Sequence, residues 1–327
     1  MSGATVGKLA MYDTDEIALL NQRVGKFNIK DKKVLDNMFL LYLLKSEIIQ
    51  SQIVNMSSGC AQPNISGKQL ESIEFKLPPI EEQERIVSIL ERAESAKKKR
   101  EESLIMLDEL VKSRFIELFG DPIKNPNKFP VHSLMDCYDR NDAVKCGPFG
   151  SALKKDEYTE IGIPVWNMDN ISKKCDFFDT PNLWITNEKY ETLKNYETKN
   201  GDIIISRAGT VGKMSVVKSV YDKSIISTNL IRLRLNEKIV PIYFIMLINI
   251  FGNKVCRLQT GSDGAFTHMN TGVLNSIEIP VPAIELQNEF VNFINQVDKL
   301  KFEMEGSLKE LENNFNSLMQ RAFNGEL

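Results

Sequence analysis

"SIEFKLPPIEEQ" at residues 72–83 and "SIEIPVPAIELQ" at 276–287 are two versions of one phrase. The offset from Ile73 to Ile277 is 204 residues, and it holds in both directions. Leu70 pairs with Leu274, Val87 with Val291, Leu90 with Ile294, Leu107 with Leu311 and Phe119 with Phe323. Further upstream, "SGATVGK" (2–8) pairs with "SRAGTVGK" (206–213), Lys8 standing 205 residues before Lys213. Self-similarity over this length means one supersecondary plan used twice. The copies are residues 2–120 and 206–324, and residues 125–205 have no earlier counterpart. The first copy is therefore expected to begin in the middle of a plan that the second carries in full.

Each copy has the same internal order. "GDIIISRAG" (201–209) is a short apolar run closed by glycine, which reads as a strand. "SIISTNLIRLRL" (224–235) ends in partial alternation, with Ile231, Leu233 and Leu235 expected inward and Arg232 and Arg234 outward. "VPIYFIMLINIF" (240–251) and its copy "VLDNMFLLYLLKSEI" (34–48) read as buried helices, the copy long and without breakers. "SIEIPVP" reads as a last strand stopped by proline. A long helix follows. Ile294, Val297, Met304, Leu308, Leu311, Phe315, Leu318 and Ala322 recur at heptad-type spacing, interrupted by Lys301. Leu90, Ala93, Leu104, Leu107, Val111 and Leu118 do the same in the first copy. Forty helical residues rise about 60 Å. A seam so narrow needs a partner, and two equivalent helices in one chain most simply pack on each other.

Composition narrows the function. The 327 residues carry a net charge of −3, so no overall basic field draws in nucleic acid, and DNA binding would need a local patch. Cys60, Cys137, Cys146, Cys175 and Cys256 are odd in number and never form CxxC, which predicts reduced thiols rather than disulfides or zinc. Only His132 and His268 are present, which argues against a histidine metal site. The start of the chain has neither the basic nor the apolar stretch of a secretory signal. Its longest apolar run, 239–251, has 13 residues and contains Pro241, too short for a bilayer. A soluble cytoplasmic protein is expected.

The G-K phrases fail as phosphate loops. Arg207 stands where the first Walker glycine would be and Met214 where its Ser/Thr would be, with Ser2 and Leu9 in the first copy. There is no dinucleotide fingerprint, no D/N-P-P-Y/F motif of adenine methyltransfer, no triad logic and no compact acidic cluster. The chain reads as non-catalytic and metal-free.

The repeat together with "GDIIISRAGTVGK" (201–213), "STNLIRLRL" (227–235), "QTGSDGAFTHMNTGVLNSIEIPVPAIELQNEF" (259–290) and "KCGPFGSALKKDEYTEIGIPVWNMDNI" (145–171) resembles the specificity subunit of type I restriction-modification systems. The resemblance covers nearly the whole chain. It implies an α+β fold of two strand-rich target-recognition modules, the first one partial, each followed by a long helix, the two helices packing as an antiparallel coiled coil. The expected segments are a partial module at 1–79, a spacer helix at 80–121, a complete module at 122–282 and a second spacer helix at 283–327. By that resemblance each module reads half of a split sequence in double-stranded DNA, and the helices set the distance between half-sites. A spacer of about 60 Å exceeds the 34–36 Å or so of one B-DNA turn, and so could serve two stretches of major groove. Modification subunits dock on the scaffold and restriction subunits join. S-adenosylmethionine, ATP and Mg belong to those partners, with no cofactor on this chain. The assembled complex would be an adenine-N6 methyltransferase and ATP-dependent endonuclease. A second specificity chain is a further candidate partner, and no membrane is involved.

Within that frame the candidate DNA contacts fall in four places. Residues 201–282 hold nine Lys/Arg against five Asp/Glu, and Arg207, Thr210 and Lys213 sit on a turn after a strand. Such a turn suits phosphate, and an arginine can fork onto guanine; it equally fits a plain tight turn with a solvated lysine. "TGSDGAFTHMN" (260–270) offers Ser262, Thr267 and His268, as a reader or as a mere connection. "GPFGS" (147–151) brings Lys154 and Lys155 behind it, and Lys8 is the first-copy counterpart of Lys213. Trp166 and Trp184 fit a core better than a base-stacking platform. Residues 1–79 carry nine Lys/Arg and eight Asp/Glu, so independent reading is expected of the 122–282 module alone. The alternative is a non-reading scaffold or inhibitory fragment that holds modification subunits through its helices.

Overall fold

The computed structural model describes residues 6–57, 64–207, 212–255 and 269–327, and the side chains of Asn253 and Lys254 lie outside the description. In chain order the helices are α1 (Asn37–Lys45), α2 (Glu47–Ser57), α3 (Gly67–Glu71), α4 (Ile80–Phe119), α5 (Asn187–Thr192), α6 (Pro241–Val255), α7 (Thr271–Asn275) and α8 (Ile284–Asn324). The strands are β1 (Val131–Ser133), β2 (Val144–Cys146), β3 (Ile163–Trp166), β4 (Trp184–Ile185), β5 (Ile203–Ser206), β6 (Met214–Val216), β7 (Ile225–Ile226), β8 (Leu230–Leu233) and β9 (Glu278–Pro280). The fold is α+β. The chain forms two compact units, Met1–Met106 with Leu300–Leu327 (unit 1) and Leu107–Lys299 (unit 2).

The repeat is visible as matched hydrogen bonds. Gln83 is fully buried; its side-chain oxygen accepts from Asp36 N–H (2.9 Å), and its amide donates to the Val34 and Pro78 carbonyls (2.9 and 2.8 Å). Gln287 is fully buried and makes the same three bonds, with Val240 N–H (2.8 Å) and the Lys238 and Pro282 carbonyls (3.0 and 2.8 Å). Every partner is displaced by 204 residues. Each glutamine thus ties the chain ahead of α1 or α6 to the start of α4 or α8, satisfying buried backbone groups that would otherwise be costly. Caps match as well. Ser66 caps α3 on Gln69 N–H, and Asn270 caps α7 on Val273 N–H. Gly7 and Gly212 take φ of 86° and 84°, the left-handed region where glycine is favoured.

In each unit the two long helices run antiparallel. In unit 1 the early α4 residues Ile86 and Leu90 share a core with Met319 and Ala322 from the end of α8, and with Phe39, Tyr42 and Leu43 of α1. In unit 2 the late α4 residues Phe115 and Phe119 pack on Phe290 from the start of α8, at centroid distances of 5.3 and 5.5 Å, and on Tyr243 of α6. Phe119 meets Tyr243 in unit 2 as Phe323 meets Phe39 in unit 1. Each helix therefore closes the core that the other repeat's module begins.

Unit 2 also holds every named strand. The sheet of order β2-β8-β5-β6 lies at its centre. One face, with Ile203, Ile205, Ile231 and Leu233, packs on α6 and the long helices. The other, with Ile204 and Leu230, packs on Trp166 and Ile226 of a second sheet of order β4-β3-β7. This corrects the reading of Arg232 and Arg234 as outward. Alternation is present along β8, but both faces are covered, and the "outer" one is a second core. Arg232 is fully buried; it pairs with Asp142 and donates to the Glu197 carbonyl. Arg234 forks onto Asp202 (2.7 and 2.8 Å) and reaches Asp142 (3.1 Å). Those hydrogen bonds to Asp202, ahead of opposing burial, raise the Arg234 guanidinium above its ordinary range. A buried arginine needs such partners.

The described residues of unit 1 contain helices and irregular chain but no named strand. The counterparts of β8 are Lys26–Ile29, which lie on irregular chain. The helical reading of 34–48 also changes. The chain leaves the helix at Ser46, with ψ of 150°, and its hydroxyl bonds the Leu43 carbonyl (2.6 Å). Serine competing for that carbonyl acts as the unrecognised breaker. Trp166 is buried in the core as expected, and Trp184 packs edge-on to Tyr221.

Candidate nucleic-acid interface

One edge of unit 2 gathers the ends of its strands. Arg207 follows β5, Ser227 follows β7, Gly147 follows β2 and Asn229 precedes β8. Backbone bonds knit them: Arg207 N–H to the Asn229 carbonyl (3.0 Å), Gly147 N–H to the Leu230 carbonyl (2.9 Å) and Ser227 N–H to the Trp166 carbonyl (2.8 Å). Gly147 approaches so closely that a Cβ there would lie 1.9 Å from the Ser227 carbonyl oxygen. Only glycine permits this crossing, which sets the course of the next residues.

Phe149 emerges from that crossing, exposed, and the Arg207 guanidinium lies over its ring at 4.5 Å. An aromatic face orients a guanidinium while leaving its in-plane donors available. Arg207 Nη1 is buried and meets no acceptor among the described residues. Ser227 Oγ and Trp166 Nε1, on the residues that bond to each other here, are likewise buried without a partner. A donor kept dry and unpaired costs about 1–3 kcal/mol.

The structure thus joins two of the sequence candidates, the turn at Arg207 and the "GPFGS" segment, through a contact that sequence reasoning did not name. Its only advance signal was an aromatic between two glycines. Lys154 and Lys155 continue the Phe149 segment; both are exposed, and neither is in an ion pair among the described residues. Lys154 N–H caps the next turn on Glu157 (2.6 Å). The Glu157 carboxyl is held below its usual range first by Lys189 and then by that N–H.

Lys213 is placed differently. Its ammonium donates to the carbonyls of Met168 (3.0 Å) and Ile171 (2.8 Å), and its N–H to Ser206 Oγ (3.0 Å). It stands at the C-terminal end of the 3₁₀ turn Met168–Asn170, where a cation complements free carbonyls. Its charge is engaged inside the unit rather than presented beside Arg207. Lys8, in unit 1, is exposed. Thr210, Ser262, Thr267 and His268 lie outside the described residues. No group of His, Cys, Asp and Glu that could hold a metal ion occurs among the described residues, and no helix there is long and apolar enough to cross a membrane. Of the cysteines, Cys137, Cys146 and Cys175 are free thiols; Cys60 and Cys256 are outside the description.

The profile of the family described as "Type I restriction modification DNA specificity domain" matches residues 1–105 and 147–313. The type I restriction enzyme MjaVIII specificity subunit of Methanocaldococcus jannaschii is 23% identical over 294 residues, covering 86% of this chain and 68% of that protein. The type I restriction enzyme EcoBI specificity subunit of Escherichia coli is 22% identical over 351 residues, covering 95% of this chain and 70% of that one. A chain solved in work on the complex assembly and conformational transition of the type I R-M system superposes with a TM-score of 0.63 at 20% identity, covering 91% of this chain and 73% of that chain. At that identity the likeness is one of fold.

Proposed function

The chain belongs to the type I restriction-modification DNA specificity family, and from that premise we propose that unit 2 reads one half of a split DNA sequence through the strand-end edge around Arg207. The observation that carries the proposal is the Arg207 guanidinium held over the exposed ring of Phe149 at the strand-end edge. A guanidinium held in plane presents two donors to one base edge, and guanine O6 and N7 match that fork. Lys154 and Lys155 flank it as phosphate contacts, which position without specifying. Arg207→Ala is expected to cost about 1–3 kcal/mol at one base-pair position and little elsewhere. Binding assays on a panel of single-base substitutions check it; equal weakening across the panel would mark Arg207 as a phosphate contact instead.

The remaining assignments rest on the family. The antiparallel helices seat modification subunits, and restriction subunits complete the complex. Adenine-N6 methylation and ATP-dependent cleavage belong to that assembly, with S-adenosylmethionine, ATP and Mg on the partners, in the cytoplasm. A second reading, a scaffold that holds modification subunits without reading DNA, is favoured by the net charge of −3. Mobility shift with the assembled complex separates the two. Sequence-specific retention that falls steeply with salt supports the reader, and its absence supports the scaffold.

A further inference from the structure

The counterpart of the covered β9 region in unit 2 is open in unit 1. In unit 2, Ile279 and Val281 are 0% and 8% exposed; in unit 1, Phe75 and Leu77 at the same places are 40% and 43% exposed. The difference lies in what sits on them. Strand β1 pairs antiparallel with β9, Val131 opposite Pro280 and Ser133 opposite Glu278. The ladder is extended by Val281 N–H to the Pro130 carbonyl and Leu134 N–H to the Ile277 carbonyl, both 2.8 Å. The 3₁₀ turn Leu134–Cys137 follows, and both of its terminal side chains are fully buried in the core of unit 2.

In unit 1, residues 74–77 have none of this. Among the described residues no protein group hydrogen-bonds the backbone of Glu74, Phe75, Lys76 or Leu77. Beside them lies an apolar groove of about 420 Å³, lined by Ile73, Phe75 and Leu77 with Leu40, Leu43 and Leu70. Open backbone next to an apolar slot is a template for strand addition: main-chain bonds supply affinity and the slot takes alternate side chains.

We propose that this groove is the seat of a β-strand followed by a single apolar turn, of the chemistry of Val131–Cys137 but distinct from that segment of this chain. The strand runs antiparallel along 74–77, and the apolar turn fills the slot over Leu40 and Leu43. A second copy of this chain is a poor donor, because its own Val131–Cys137 segment is already paired and buried in its own unit 2. The donor is therefore a segment of that chemistry that is not already paired. This assignment stands apart from DNA reading, and loss of the Arg207 effect would leave it untouched.

The test adds a labelled synthetic peptide of residues 128–139 to the full chain. Expected are saturable binding and slowed amide exchange confined to 74–77. Phe75→Asp and Leu77→Pro each weaken binding by about tenfold or more, Leu77→Pro by removing the donor equivalent to Val281 N–H. Lys76→Pro retains binding, since unit 2 has Pro280 at that place. The exchange map of the unsubstituted chain carries the test if a variant fails to fold. Three results overturn the proposal: no saturable binding, protection at 277–281 in place of 74–77, or dimers of the chain in which 74–77 is protected without peptide.

Discussion

Gln83 and Gln287 hold the same three backbone partners at the same distances within 0.2 Å, yet Phe27 and Ile231, equally placed ahead of them, share nothing. Ile231 is fully buried in a central strand, while Phe27 is 44% exposed on irregular chain. The helical half of the repeat survives in both places because a helix finds its backbone partners within itself and its caps a few residues away. The strand half survives only where distant segments supply the ladder. β8 needs β2, whose Lys145 stands opposite Arg232, and β5 on its other side. The same contrast governs Lys8 and Lys213. The turn that engages Lys213 at Met168 and Ile171 belongs to the stretch that has no first-copy counterpart.

The largest test of the comparison is at the far ends of the long helices. Phe119→Ala empties a fully enclosed aromatic site and is expected to cost about 3–5 kcal/mol on the unfolding transition of unit 2. Phe323→Ala, at a half-buried site, should cost about 1–3 kcal/mol on that of unit 1. Denaturant titration followed by probes in each unit checks the ranking, and equal losses would show that unit 1 is closed as tightly as unit 2. Next come the glutamines. Gln83→Ala and Gln287→Ala should each lose about 2 kcal/mol, matched because the clamps match. A difference beyond about 1 kcal/mol would mean that the clamp depends on the sheet beside it. The smallest effect concerns Cys175, in a turn that only unit 2 has. Burial raises its thiol from the ordinary 9.0 to about 11. The raised value makes its stabilising contribution complete below pH 9 and lost as pH rises through about 11. Alkylation mapped by mass spectrometry at pH 8.5 should therefore label it far more slowly in the folded chain than in urea.

Much of this was legible in advance for a physical reason. The repeat fixed the paired helices, since apolar spacing and breakers are local signals, and "GDIIIS" announced a buried strand by its composition. Arg232 misled because alternation tells only that two faces differ, not that one of them is wet. Ser46 misled because nothing in its composition marks a break; the hydroxyl's bond to Leu43 does. At the candidate site, the place of Arg207 after a strand was legible from "GDIIIS", whereas its aromatic platform was not. Phe149 and Arg207 are 58 residues apart by number, and only the Gly147 crossing against Ser227 brings them together. Lys213 looked available because a sequence shows charge without showing which carbonyls it will face.

The division of the chain into Leu107–Lys299 and a unit split between its two ends has a consequence for synthesis. A ribosome delivers unit 2 as one uninterrupted stretch, able to fold once Lys299 has emerged. Unit 1 must wait, with Phe39, Tyr42, Ile86 and Leu90 uncovered, until Phe315, Met319 and Ala322 have been made. The residues of unit 1 made before unit 2 are thus finished only after it, and any stall before residue 315 leaves their apolar face open to whatever else is in the cell.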